Sequence, residues 1–145
     1  MRKICGILLL MLVVAAGLAF GAEKGTLDMK LKIEVNGRIL EAMLYENSSS
    51  QALVELLKKG DITIDMHDYG NFEKVGELPQ SLPRNDTYTE TDAGDLILYL
   101  GHRFVIYYDK NAWDFTPLGK VQGIEKKELK KLLGSGNVKA VLSLK

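Results

Sequence analysis

From residue 29 to residue 35 apolar and polar side chains alternate: Met29, Leu31, Ile33 and Val35 are interleaved with Lys30, Lys32 and Glu34. A period of two puts the two sets on opposite faces, which predicts a strand with one buried side. Asn36-Gly37 follows at once, and both residues tolerate the φ > 0 of a type I′ turn, so Arg38 to Tyr45 should return as the antiparallel partner. Ser48 and Gln51 then stand at capping-box spacing, and Ala52, Leu53, Leu56 and Leu57 form a helical stripe that ends at Lys58-Lys59-Gly60. That is one amphipathic helix of about three turns. Ile62 and Ile64 alternate again within Asp61 to Asp65, a third strand with Met66 and His67 at its end.

The period is lost from Asp68 to Thr91, where glycines stand at 70 and 76 and prolines at 79 and 83. This predicts a long loop. Tyr69, Phe72, Val75, Leu78 and Leu82 are too apolar for a free tether, so Asp68 to Pro83 is expected to pack as an ordered flap, with Glu73 and Lys74 at its outward edge. Asp95 to Leu100 and Arg103 to Tyr108 read as strands joined by a type II′ turn at Gly101-His102. Lys110 to Phe115, which carries Trp113, reads as a polar connection. Glu125 to Leu133 reads as a second helix stopped by Gly134 and Gly136, and Val138, Val141 and Leu144 as a last strand. Two isolated helices among many antiparallel strands predict a mainly β fold, a closed or nearly closed barrel with the helices over its ends.

Composition adds a leader and removes several chemistries. Arg2 and Lys3 precede an apolar run from Ile7 to Phe20, and small residues Ala19, Gly21 and Ala22 follow, the three parts of a signal peptide. Residues 1–21 are therefore expected to be the leader, cleaved after Gly21 or Ala22, and residues 22–145 one periplasmic or secreted domain. The apolar run of about 14 residues is shorter than the ~20 that span a bilayer, so no membrane attachment is expected after cleavage. Cleavage also removes Cys5, the only cysteine, and with it any disulfide, thiolate metal site or cysteine nucleophile. Of 19 basic and 19 acidic residues the leader takes two basic ones, which leaves a formal charge of −2. Such a surface gives no reason to expect nucleic-acid binding. Lys126, Lys127, Lys130 and Lys131 alternate with Glu125 and Glu128, a solvated helix face.

Three segments then carry a resemblance. Gly37-Arg38-Ile39 runs into Ala42-Met43-Leu44-Tyr45 and the helix from Ser48; Gly94-Asp95-Leu96 enters a hairpin; Leu118-Gly119-Lys120-Val121 precedes Gly123-Ile124 and a helix. In this order they resemble the cyclophilins, peptidyl-prolyl isomerases built on a closed antiparallel β-barrel capped by two short α-helices. The run Asp68-Tyr69-Gly70-Asn71-Phe72-Glu73-Lys74-Val75-Gly76, with Leu78-Pro79, Leu82-Pro83 and Pro117-Leu118-Gly119, is similar to a small, atypical bacterial cyclophilin-like family. Active cyclophilins grip proline with an arginine, a phenylalanine and a glutamine from the segment equivalent to Ile64 through Val75. This stretch has neither arginine nor glutamine, and His67-Asp68 falls about where the family has a His-Arg pair. Only Phe72 matches the apolar wall.

Rotating an X-Pro amide requires an apolar pocket for the ring and a charge-assisted hydrogen bond to the amide nitrogen as it pyramidalises. Lys74, Arg84 and Arg103 are the cations within reach of such a role, each more simply a surface charge. Asp65, His67 and Asp68 make a poor metal set, because the first two share a strand face that the third does not. Neither a glycine-rich phosphate loop nor a Gly-x-Ser-x-Gly elbow occurs, so no cofactor is expected. Asn47-Ser48-Ser49 and Asn85-Asp86-Thr87 match the glycosylation pattern but read as turn residues. The expectation is a binding module whose groove, bordered by Tyr69, Phe72, Glu73, Lys74, Arg103 and Trp113, holds a peptide segment or small apolar ligand. A weak prolyl isomerase using the same groove is the alternative, and a structural or partner-docking domain the third.

Overall fold

Leu31, Ile33 and Val35 are buried while the residues between them are exposed or half-buried, so the alternation is realised in β1 (Thr26–Val35). The computed structural model describes residues 25–145; the leader read over residues 1–21, its cleavage position and Cys5 lie outside the described residues. Asn36 and Gly37 have φ of 49° and 77°, the type I′ signature, and they turn the chain into β2 (Arg38–Tyr45) with Val35 opposite Arg38. Helix α1 (Ser48–Lys58) starts one residue earlier than its capping box implies. Asn47 is the N-cap, and its side chain accepts from the Ser50 N–H at 2.8 Å while donating to the Pro117 carbonyl, also at 2.8 Å.

Eight strands close the barrel. After α1 come β3 (Ile62–Tyr69), β4 (Glu73–Glu77), β5 (Thr87–Thr91), β6 (Asp95–Tyr99), β7 (Arg103–Tyr107), β8 (Asn111–Gln122), α2 (Lys126–Leu133) and β9 (Val138–Leu144). The neighbour order is β2-β1-β9-β3-β4-β7-β6-β8, and β8 pairs back onto β2 through Glu41–Gln122 to Leu44–Gly119, all antiparallel. Inside lie Leu31, Ile33, Leu44, Ile64, Leu96, Leu98, Phe104, Ile106 and Leu142, and both helices set buried leucines against them, Leu53 and Leu57 from α1 and Leu129 and Leu133 from α2.

Three expectations fail. Half of the loop read over Asp68 to Thr91 is strand, because Gly70 and Asn71, with φ of 64° and 58°, make a second tight turn that joins β3 to β4, and β5 begins at Thr87. Only the stretch after Glu77 and before Thr87 lacks regular structure, and it is pinned by Leu78 N–H to His102 O (2.8 Å), Leu82 N–H to Gly101 O (2.7 Å) and Asn85 to Ser48 and Ser49 (2.7 and 2.8 Å). The β6–β7 turn is type I′ rather than II′. Its central residues are Leu100 and Gly101, with φ of 52° and 76°, closed by His102 N–H to Tyr99 O. Finally, Lys110 to Phe115 is not a connection, since Asn111 to Phe115 form the first part of β8, paired with β5.

Candidate functional site

Strands β4, β6 and β7 are buried on both faces. Leu96, Leu98, Phe104 and Ile106 point into the barrel, whereas Val75, Ile97, Val105 and Tyr107 point outward and pack with Phe115 into a second cluster, joined by Phe72 and Tyr99. The cover comes from β8. Its first half pairs with β5 and its second with β6 on one edge and β2 on the other; Pro117, opposite Ile97 of β6, lies between the β5 and β2 ladders on the far edge, where no N–H is called for. A register shift between Leu96 and Ile97 marks the same place. The β5–β8 ribbon thus leaves the barrel wall and carries Trp113 and Phe115 over its outer face.

Between ribbon and wall is a cavity of about 550 Å³. Its walls are aromatic: Tyr69, Phe72, Tyr99, Trp113 and Phe115, with Val75 and Ala112 between them. Phe72 stacks on Tyr107 with planes 8° apart and centroids at 6.1 Å, while Tyr69 meets Phe72 and Tyr99 meets Phe115 edge-on, both at 5.8 Å. Gly70 makes this possible. Besides its positive φ, a β-carbon there would stand 2.2 Å from the Phe72 ring, so only glycine lets the ring fold back beside the turn.

Glu73 is the charged group set deepest in this lining, with 9% of its surface exposed. Burial raises its carboxyl pKa to about 7, opposed by the hydrogen bond from the Tyr107 hydroxyl and reinforced by the charge of Asp68. No lysine, arginine or histidine among the described residues pairs with it. Tyr107 is itself raised, first by burial, and it accepts from the Asn111 amide at 3.3 Å. At the mouth, Glu77 holds both the Arg103 guanidinium (Nε to Oε1, 3.0 Å) and His102 (Nδ1 to Oε2, 2.5 Å), and these contacts keep the Glu77 carboxyl below its usual range.

Of the residues that the sequence suggests, Tyr69, Phe72, Glu73, Arg103 and Trp113 line this one cavity, together with His67. Lys74 does not. The expected outward edge of a flap is a barrel strand, so Glu73 and Lys74 take opposite faces; Glu73 turns to the cavity and Lys74 into the interior, where it is fully buried. There Lys74 Nζ reaches Asp68 at 3.1 Å and the Gly136 carbonyl at 2.7 Å, and it lies 5.7 Å from the centre of the Tyr108 ring. Burial disfavours the Asp68 carboxylate, but hydrogen bonds from Tyr108 (2.5 Å) and Lys74 together overcome this and lower its pKa. Asp68 therefore faces away from His67 and the cavity. Arg84 is bound to Asp86 at 2.5 Å and is absent from the lining.

Sequence reasoning missed Tyr99, Tyr107, Asn111 and Phe115. A signal for two of them was present. Leu96 to Tyr99 and Phe104 to Tyr108 are unbroken apolar runs rather than alternating ones, the mark of strands covered on both faces.

The cyclophilin-like family matches residues 33–143, most of the chain. Among curated proteins none matches. The fold is similar to the solution structure of a hypothetical protein from Archaeoglobus fulgidus, with a TM-score of 0.52 and 16% identity over 83% of this chain and 97% of that one. With the two helices, the eight-stranded closed barrel and this match over residues 33–143, the chain belongs to the cyclophilin-like family.

Proposed function

We propose that this cyclophilin-like domain is a periplasmic or secreted binding module that receives a side chain of a peptide segment, or a small largely apolar ligand, in the outer-face cavity. The observation that carries the reading is the cavity itself, about 550 Å³ walled by five aromatic rings, with Glu73 and Asn111 set among them. Such a site gains affinity by burying apolar surface and needs no reactive group.

Isomerase activity is the second reading, because Arg103 stands at the mouth and Phe72 on the wall. Against it, the Arg103 guanidinium is engaged by Glu77, and the segment Ile64 through Val75 offers no lysine or arginine to the cavity, since Lys74 faces inward. A prolyl nitrogen held there would meet an acid, Glu73, sooner than a free guanidinium. Conversion of a short prolyl peptide from cis to trans, followed with and without the mature protein, is expected to proceed at the uncatalysed rate. An acceleration that scales with protein and disappears in Phe72→Ala would replace the binding reading by the isomerase one.

A further inference from the structure

We infer that the ligand of this cavity is an organic cation, an ammonium group carried on an apolar body, held by the Glu73 carboxylate and the surrounding aromatic faces. The inference rests on the binding reading above and names the ligand's charge. Three observations carry it. Glu73 is nearly buried in the lining and has no cationic partner among the described residues, an arrangement that costs free energy unless something compensates it. The cavity around it carries Tyr69, Phe72, Tyr99, Trp113 and Phe115, and the negative faces of such rings attract cations, more strongly when water is excluded. The single lysine or arginine of the lining, Arg103, is already neutralised by Glu77, so the charge left open to a ligand is negative.

The neighbours of Glu73 agree. From β3 it faces its register partner Tyr69, with His67 further along the same face and Asp68 behind. From β7 it faces Tyr107, with Arg103 at the far end of the strand, tied to Glu77. Beyond Tyr107 lie Asn111 of β8 and Thr91 of β5, whose hydroxyl donates to the Asn111 carbonyl at 3.0 Å. Asn111 thus supplies polarity without charge, and Asp68, paired with Lys74 on the other face, adds only a lesser upward push on Glu73. A bound ammonium would supply the counter-charge that the fold omits and return the Glu73 carboxyl toward its ordinary acidity, so binding should release a proton near neutral pH.

The test is a matched pair of probes, 2-phenylethylamine and 2-phenylethanol, which share a shape and differ in charge. Trp113, the only tryptophan and exposed at the cavity wall, reports binding by its fluorescence. At about pH 8 the ammonium probe is expected to bind at least roughly tenfold more tightly than the alcohol, a difference that shrinks below about pH 6 as Glu73 takes up a proton. The preference should also vanish in Glu73→Gln, which keeps the shape of the side chain. Equal binding of the two probes to the native protein overturns the cation inference and leaves the binding module standing. Failure of both to bind overturns both readings. Should the variant not fold, the pH dependence of the preference in the native protein decides alone. Nα-acetyl-lysine N-methylamide, added as competitor, separates the sources: displacement of the bound amine assigns the cation to a peptide side chain, and no displacement assigns it to a small molecule.

Discussion

Glu73 and Lys74 are adjacent in sequence and opposite in circumstance. Both are buried, but Lys74 has a carboxylate and a carbonyl within 3.1 Å, whereas Glu73 has a phenol and no cation among the described residues. Lys74 accordingly belongs to the interior of the fold, and Glu73 carries a standing cost whenever it is ionised. The sign of that cost follows from linkage. With a native pKa of about 7 against an unfolded value near that of free glutamate, the native state binds more protons than the unfolded state between about pH 4.5 and pH 7. Stability should fall as pH rises through that window, by an amount on the order of 3 kcal/mol at most, and then level off. In Glu73→Gln this component should disappear, so the variant should match the native protein near pH 5 and be more stable than it near pH 8. Urea unfolding at the two pH values measures this, and a variant less stable at the higher pH would show that Glu73 has a partner in the folded protein. At the acid end the order reverses. Asp68 has a lowered pKa, and its contribution is present above the unfolded value and lost as pH falls through the native one.

At the level of elements, two type I′ turns do different work. Gly37 and Gly70 both have positive φ, 77° and 64°, but a β-carbon at Gly37 meets nothing within 4 Å while one at Gly70 enters the Phe72 ring. Alanine at Gly37 should therefore cost only backbone strain, on the order of 1 kcal/mol, and leave the cavity alone. Alanine at Gly70 should cost that strain and also push Phe72 off its stack on Tyr107. Thermal unfolding together with the ring proton shifts of Phe72 and Tyr107 separates the two: both variants lose stability, and only Gly70→Ala moves the rings. The same contrast explains what the sequence could carry. Asn36-Gly37 sits between two strands of clear alternation, so the hairpin is readable from local pattern. Gly70-Asn71 sits between His67-Asp68 and Glu73-Lys74, where a buried lysine paired with a half-buried Asp68, and a buried acid, occupy strand positions and erase the polar-apolar period. The strand after Lys110 is hidden for another reason: Asn111, Trp113 and Phe115 face a cavity rather than a continuous core. The long loop, the misplaced Lys74 and the missed half of β8 are thus all consequences of side chains whose setting depends on distant strands, which no local period reports.

For the whole molecule, the barrel and the ribbon that covers the cavity differ in how they are held. Strands β1 and β9 are paired on both edges within the closed barrel. By contrast β5 pairs only with β8, and Asn111 to Phe115 only with β5, so this region is a two-stranded ribbon, an arrangement that is marginal by itself in water. It is fastened at its base, where Thr116 donates to Asp86 at 2.7 Å and accepts from the Asn85 N–H at 2.8 Å, and by Phe115 against Tyr99 and Tyr107. Its tip has Trp113 61% exposed and Tyr88 66% exposed, with little apolar burial to hold it down. Opening of the ribbon should then cost much less than opening of the barrel, and the cavity would admit a ligand by that movement. Native-state hydrogen exchange is expected to show the ribbon amides of β5 and of β8 up to Trp113 exchanging at least about tenfold faster than those of β1 and β9. Saturating 2-phenylethylamine should slow the ribbon amides and leave the barrel amides unchanged, because the ligand would bridge wall and ribbon. Uniform exchange across the sheet would show that the ribbon is as firmly fixed as the barrel and that entry must be through the mouth beside Arg103.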